Sequence, residues 1–154
     1  MLTIFNTPKF RCVNVHASLL PKLRGGSPLH HCIIDGYDKT GVTIMYMDKG
    51  MDSGDIITQK ALPIDPTDNT DTLFSKLADL GASMINEVIE KIENGTVERY
   101  TQDESKVTFT YNLTKEDEKI DFTFVNSNLA AAYEALINKM DDIKDELKVY
   151  WLDV

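Results

Sequence analysis

Residues 42–62 read VTIMYMDKGMDSGDIITQKAL. The first six form a nearly unbroken apolar run of strand length, the composition of a strand covered on both faces. IITQKAL, residues 56–62, has the composition of a second strand, and DKGMDSGD between them is a polar turn with glycines at 50 and 54. Upstream, Ser27 followed by Pro28 matches an N-cap with proline at the first helical position, which predicts a short helix ending near Gly36. Further upstream, FRCVNVH at 10–16 reads as a short strand that delivers Asn14 and His16 to a sheet edge. The loop after it, SLLPKLRGGSP, carries too many breakers (Pro21, Gly25, Gly26, Pro28) for a regular element. Downstream, Leu73, Phe74, Leu77, Leu80, Met84, Ile85, Val88, Ile89 and Ile92 fall at spacings of one, three and four, which predicts a helix over 71–93, capped by Thr70 and closed by Asn94 and Gly95. Strand, helix, strand, strand, helix is the order of an α/β sheet domain.

Beyond the long helix the pattern weakens. Residues 96–121 are polar and charged, with one strand-like patch, VTFTY at 107–111. A helix over 126–140 and a strand over 147–154 are expected after them. The expected organisation is a sheet domain over 1–95, a linker over 96–121 and an appendage over 122–154.

The chain has 154 residues, 42% hydrophobic and 27% charged, enough for one core and unlike a disordered chain or a coiled-coil array. No apolar stretch approaches the roughly 20 residues of a bilayer span, and no basic-then-apolar leader opens the sequence, so a cytoplasmic protein without a membrane partner is expected. Cys12 and Cys32 lack ligand spacing, so ordinary buried thiols are expected, with neither a disulfide framework nor a metal site. The net charge of −9 is unevenly spread: residues 1–50 carry +3, and 51–100 and 101–154 carry −6 each. An anionic partner must therefore meet the first third, where Lys22 and Arg24 are the candidate cations.

Candidate chemistry concentrates between Asn14 and Asp55. Asn14 and His16, two apart, share a side of a regular strand, and Asp52 sits in a glycine-flanked turn from which a carboxylate can reach inward. An amide that donates to a developing oxyanion, an imidazole that moves a proton and a carboxylate that orients it make a transfer site. On residue grounds alone the plain alternative, a capping Asn and a surface Asp, stands beside it. His30 and His31 on the short helix read as structural or surface residues, and Asp48 and Asp55 as turn and capping residues.

NVHASLLPKLRGGSPLHHCIIDG followed by GVTIMYMDKGMDSGDII resembles the signature of the 10-formyltetrahydrofolate-dependent formyltransferases, over residues 8 to about 122. The resemblance implies a catalytic trio of Asn14, His16 and Asp52, a folate-binding loop at Ser18, Leu19, Leu20 and Pro21, no metal, and 10-formyltetrahydrofolate as formyl donor. The trio leaves the acceptor open, because family members acting on nucleotide sugars share it. RGGSP and NLTKEDEKIDF resemble the branch that formylates initiator methionyl-tRNA.

Two departures from the family pattern matter. The first strands and helices of its Rossmann-like sheet and most of its C-terminal barrel have no counterpart here. The resemblance thus implies the second half of a Rossmann-like formyltransferase sheet domain with a reduced C-terminal appendage, truncated at the N-terminus. A non-catalytic or degraded fragment is the alternative reading. A parallel sheet lacking neighbours for the 10–16 strand implies self-association through that unpaired edge and transfer well below that of a complete enzyme.

Overall fold

The computed structural model describes residues 8–117. Met1–Leu113 and Thr114–Val154 form separate compact units. The helix expected over 126–140 and the strand over 147–154 lie outside the described residues.

The centre of the first unit is an antiparallel sheet of three strands in the order β1 (Val13–His16), β3 (Lys39–Tyr46), β4 (Ile56–Pro63). Its register sets His16 opposite Thr43 and Thr43 opposite Gln59, so these three side chains share one face. A parallel arrangement was expected, but these strands run antiparallel because DKGMDSGD closes β3 onto β4 as a hairpin with an irregularity at Ile44/Met45. β1 lies at one edge of this sheet among the described residues. A second pair, β2 (Arg24–Gly25) with β5 (Phe109–Thr110), is parallel. The expected strand over 107–111 is thus present in shortened form.

Two helices complete the unit. In α1 (Pro28–Ile34), Pro28 opens the helix as expected, but Ser27 sits at φ 51° and its side chain makes no capping bond. In α2 (Thr70–Glu93) the cap is Asn69 rather than Thr70: Asn69 accepts from the Thr72 N–H while the Thr72 hydroxyl accepts from the Asn69 N–H. This reciprocal pair satisfies two of the helix's orphan donors, which Thr70 from inside the first turn cannot do. Leu73, Leu77, Met84 and Val88 bury the α2 stripe against the β3–β4 layer, together with Val42, Ile44 and Tyr46. Each such side chain contributes roughly 1.5–3 kcal/mol relative to exposure, which makes this layer the core of the unit. No helix among the described residues is long and apolar enough to cross a membrane.

The stretch expected as a linker from residue 96 is built into the first unit over its first half. Tyr100 bridges to Ile56, and Thr108 and Thr110 bond to the Leu23–Gly26 segment. Its polarity misleads because the segment is attached by hydrogen bonds rather than by apolar packing: Tyr100 and Thr108 stay exposed, while Gln102 and Thr110 are buried.

Candidate active site

The face of the sheet opposite α2 is covered by the irregular segment Ala17–Gly26, and polar groups hold it there. The Thr43 hydroxyl donates to the Ser18 carbonyl (2.6 Å) and accepts from the Leu20 N–H (3.2 Å) and from Gln59 Nε2 (2.7 Å). Gln59 Nε2 also reaches the Leu20 carbonyl (2.9 Å), and the Ser18 hydroxyl donates to the Lys22 carbonyl (2.7 Å). Of the four residues expected to form a folate loop, Ser18 and Leu20 are therefore buried supports. Leu19 and Pro21 line a cavity of about 240 Å³ together with Tyr37 and the three lysines Lys22, Lys39 and Lys106.

His16, only 6% exposed, ends β1. Its Nε2–H donates to the Leu23 carbonyl at 3.0 Å, which fixes the ring and turns Nδ1 toward the Asp52 turn. Nδ1 faces Asp52 Oδ2 at 3.7 Å, too long for a hydrogen bond and within ion-pair reach. Asn14 lies two residues earlier on the same side of β1, half-buried, and its side chain makes no hydrogen bond to another described residue, so its amide is available to a ligand.

Asp52 is held from two sides. Its Oδ2 accepts the Gly25 N–H at 2.9 Å, and its backbone adopts φ 48°, a left-handed conformation that aspartate tolerates better than most residues. Gly25 is at φ +107° with the Thr110 carbonyl against its Cα, so any side chain there collides and turns the N–H away from Asp52. Gly54 packs against the Tyr46 carbonyl, where a Cβ does not fit either. Asp48 serves the turn, as expected, by accepting from the Gly50 N–H and the Ser53 hydroxyl.

Arg24 corrects the sequence reading. Expected as a flexible cation for an anionic partner, it is 3% exposed; its Nε and Nη2 donate to Gln102 Oε1 (3.1 and 2.9 Å) and its guanidinium forks onto Glu104 (2.7 and 3.3 Å). Lys22 remains exposed, 5.9 Å from the Tyr37 ring centroid. Gln102, 5% exposed, escaped notice in a stretch that reads as polar connector; its Nε2 donates to the carbonyls of Asp52 and Gly54, both at 2.8 Å. His31 is structural as expected, with Nε2 on the Tyr111 carbonyl at 3.0 Å and its ring edge-on to Tyr111. Both cysteines are thiols; Cys32 is buried, which pushes its pKa above the usual range, and Cys12 is half-buried.

An amide and an imidazole on one side of an edge strand, with a carboxylate 3.7 Å from Nδ1 of the ring, are groups that can move a proton and donate to an oxyanion. The chain belongs to the formyl transferase family, whose model matches residues 2–89. A methionyl-tRNA formyltransferase of Bacillus thuringiensis (strain Al Hakam) is 48% identical to it over 120 residues, covering 78% of this chain and 38% of the relative. Among solved structures, methionyl-tRNA formyltransferase from Clostridium thermocellum is 27% identical with a TM-score of 0.55, covering 71% of this chain and 46% of that one. A formyltransferase from Anoxybacillus kamchatkensis, solved with UDP-4,6-dideoxy-4-formamido-L-AltNAc and tetrahydrofolate, is 27% identical with a TM-score of 0.63 over 74% of this chain and 58% of that one. The chain thus spans 38% of the length of the curated relatives it matches.

Proposed function

We propose that this chain carries the transfer centre of a formyltransferase that moves a formyl group from 10-formyltetrahydrofolate to the α-amino group of methionyl-tRNA. The observation that carries the reading is the approach of His16 Nδ1 and Asp52 Oδ2 to 3.7 Å in a chain of the formyl transferase family. The acceptor amine attacks the formyl carbon, a new C–N bond forms, and the bond from that carbon to the donor nitrogen breaks. Asn14 donates to the formyl oxygen as it gains negative charge; His16, through Nδ1, takes up the proton that the amine loses, Asp52 stabilises the resulting imidazolium, and that proton passes to the donor nitrogen as its bond to the formyl carbon breaks. Leu19 and Pro21 supply apolar surface for the folate, and Ser18 and Leu20 hold that surface in place. None of these roles calls on a metal.

The acceptor assignment is supported by the 48% identity to relatives named methionyl-tRNA formyltransferase. A nucleotide-sugar amine is the second reading, favoured by the sugar formyltransferases among the structural neighbours. Self-association belongs to the proposal too, because β1 offers an edge without a described partner and Val15 on it is exposed. Sedimentation of the purified chain tests this last point, a strict monomer refuting it.

Single-turnover transfer from labelled 10-formyltetrahydrofolate, run in parallel with methionyl-tRNA and with a dTDP-amino sugar, tests the reaction. Label on the tRNA alone is expected. Label on the sugar alone makes the second reading correct, and label on neither refutes formyl transfer by this chain.

A further inference from the structure

The Arg24–Gln102 pair sits behind the turn that carries Asp52, bonds to that turn's backbone and makes no hydrogen bond to the side chains of Asn14, His16 or Asp52. Gln102 is buried, and both ends of its amide are in use. Nε2 donates to the carbonyls of Asp52 and Gly54, and Oε1 accepts two N–H groups from Arg24, whose orientation is fixed in turn by Glu104. The Asp52 backbone is held at φ 48°, a conformation of limited intrinsic stability, and the Gln102 amide clamps its carbonyl together with that of Gly54. Arg24 belongs to β2, and the residue after it, Gly25, donates its N–H to Asp52 Oδ2. One cluster therefore fixes the aspartate at its backbone through Gln102 and at its carboxylate through Gly25, with Arg24 joining the two.

We propose that Gln102 is a positioning residue of the transfer site, acting with Arg24 to set the Asp52 carboxylate at its working distance from His16. The inference rests on the reading of Asp52 as a catalytic group. Chemistry explains why an amide is required. Only a side chain that accepts at one end and donates at the other can satisfy a guanidinium on one side and two carbonyls on the other. A glutamate keeps the Arg24 contact but turns an oxygen toward the Asp52 and Gly54 carbonyls. Both carbonyls are repelled, the turn shifts, and the Asp52 carboxylate leaves the Gly25 N–H.

The test follows hydrogen exchange of the Gly25 amide in the full-length chain, as wild type, Gln102→Glu and Arg24→Lys, with the β3 amides of Val42 and Ile44 as internal reference. Gln102→Glu is expected to speed Gly25 exchange about ten- to hundredfold while the β3 amides hold their wild-type rates. Arg24→Lys keeps the charge but loses the fork, and a smaller acceleration at Gly25 is expected; it decides the matter alone if Gln102→Glu does not fold. In transfer assays Gln102→Glu is expected to lower kcat and leave the KM for the folate donor unchanged. Gly25 exchange unaltered in the folded variants, or accelerated only in step with Val42 and Ile44, overturns the proposal. Asp52→Asn separates the two claims. Unchanged transfer in that variant defeats the catalytic reading, whereas Gly25 exchange in Gln102→Glu judges the positioning role in either case.

Discussion

The two faces of the β1–β3–β4 sheet are covered by different means. On one, α2 lays Leu73, Leu77, Met84 and Val88 onto Val42, Ile44 and Tyr46, a contact of apolar surfaces with no directional demand. On the other, Ala17–Gly26 and the 100–110 segment are held by Thr43, Gln59, Arg24 and Gln102, each making two or more directed hydrogen bonds. Apolar burial loses stability in proportion to the surface removed, whereas a polar network fails when one partner is withdrawn and the group left behind stays buried. The site lies on the polar face. There, positions matter at the scale of hydrogen-bond lengths, and the helical face supplies the stability that this arrangement consumes.

Substitutions separate the two faces, and the largest effect is expected at the site itself. His16→Ala should lower single-turnover transfer by about 10²–10⁴-fold. Its circular dichroism should stay close to wild type, because β1 also pairs with β3 through its backbone. A drop in transfer accompanied by loss of helical signal would erase the distinction between the faces. Next, Leu77→Ala on the helical face should cost about 2–5 kcal/mol in urea unfolding, and Leu77→Met less than about 1.5 kcal/mol. Equal losses for the two variants would show that this face is as exacting as the other. On the polar face, Thr43→Val removes the hydroxyl that serves three partners while nearly keeping the shape. A cost of about 1–3 kcal/mol is expected, and a Thr43→Val melting curve that overlays wild type would argue that the loop is held by packing instead.

The smallest effect concerns acid. Bonding from Lys76 holds the Asp68 carboxyl below its ordinary range, and Lys106 with Ser105 holds Asp103 down at about 2. Both are carboxylates whose folded-state value is depressed. Their contribution is complete above the ordinary carboxylate range and is lost as pH falls, toward about 2 in the case of Asp103. Asp68 also accepts from Thr72 and Lys76 at the α2 N-terminus, so acid should loosen that turn. NMR titration of the two carboxyl carbons checks this, and ordinary midpoints for both would refute it.

The apolar face was legible in the sequence and the polar face was legible only in part, for a physical reason. A helix that buries one stripe repeats its apolar residues every three or four positions, so α2 could be read almost to its ends; only its cap was misplaced, by one residue, from Asn69 to Thr70. VTIMYM and IITQKAL announced β3 and β4 in the same way, though not their antiparallel pairing. Asn14, His16 and Asp52 were singled out by residue type and family motif, and the structure brings His16 and Asp52 together. Gln102 and Arg24 were not readable in their roles. Gln102 is 50 residues from Asp52 and Thr108 is 85 from Leu23, and polar residues that bond over such separations leave no period in the sequence. Arg24 in a glycine-rich loop carries the composition of a solvated cation, and only the acceptors brought to it by the 100–110 segment make it a buried one.

The most direct test of the account is the rate of formyl transfer to methionyl-tRNA by wild type and by Asp52→Asn, measured side by side in a single turnover. The amide keeps the size of the carboxyl group, and one oxygen can still accept the Gly25 N–H, but the charge facing His16 Nδ1 is gone. The wild-type chain is expected to transfer the label, and Asp52→Asn to do so about a hundredfold more slowly or worse. Equal rates in the two, or no transfer by wild type, would contradict it.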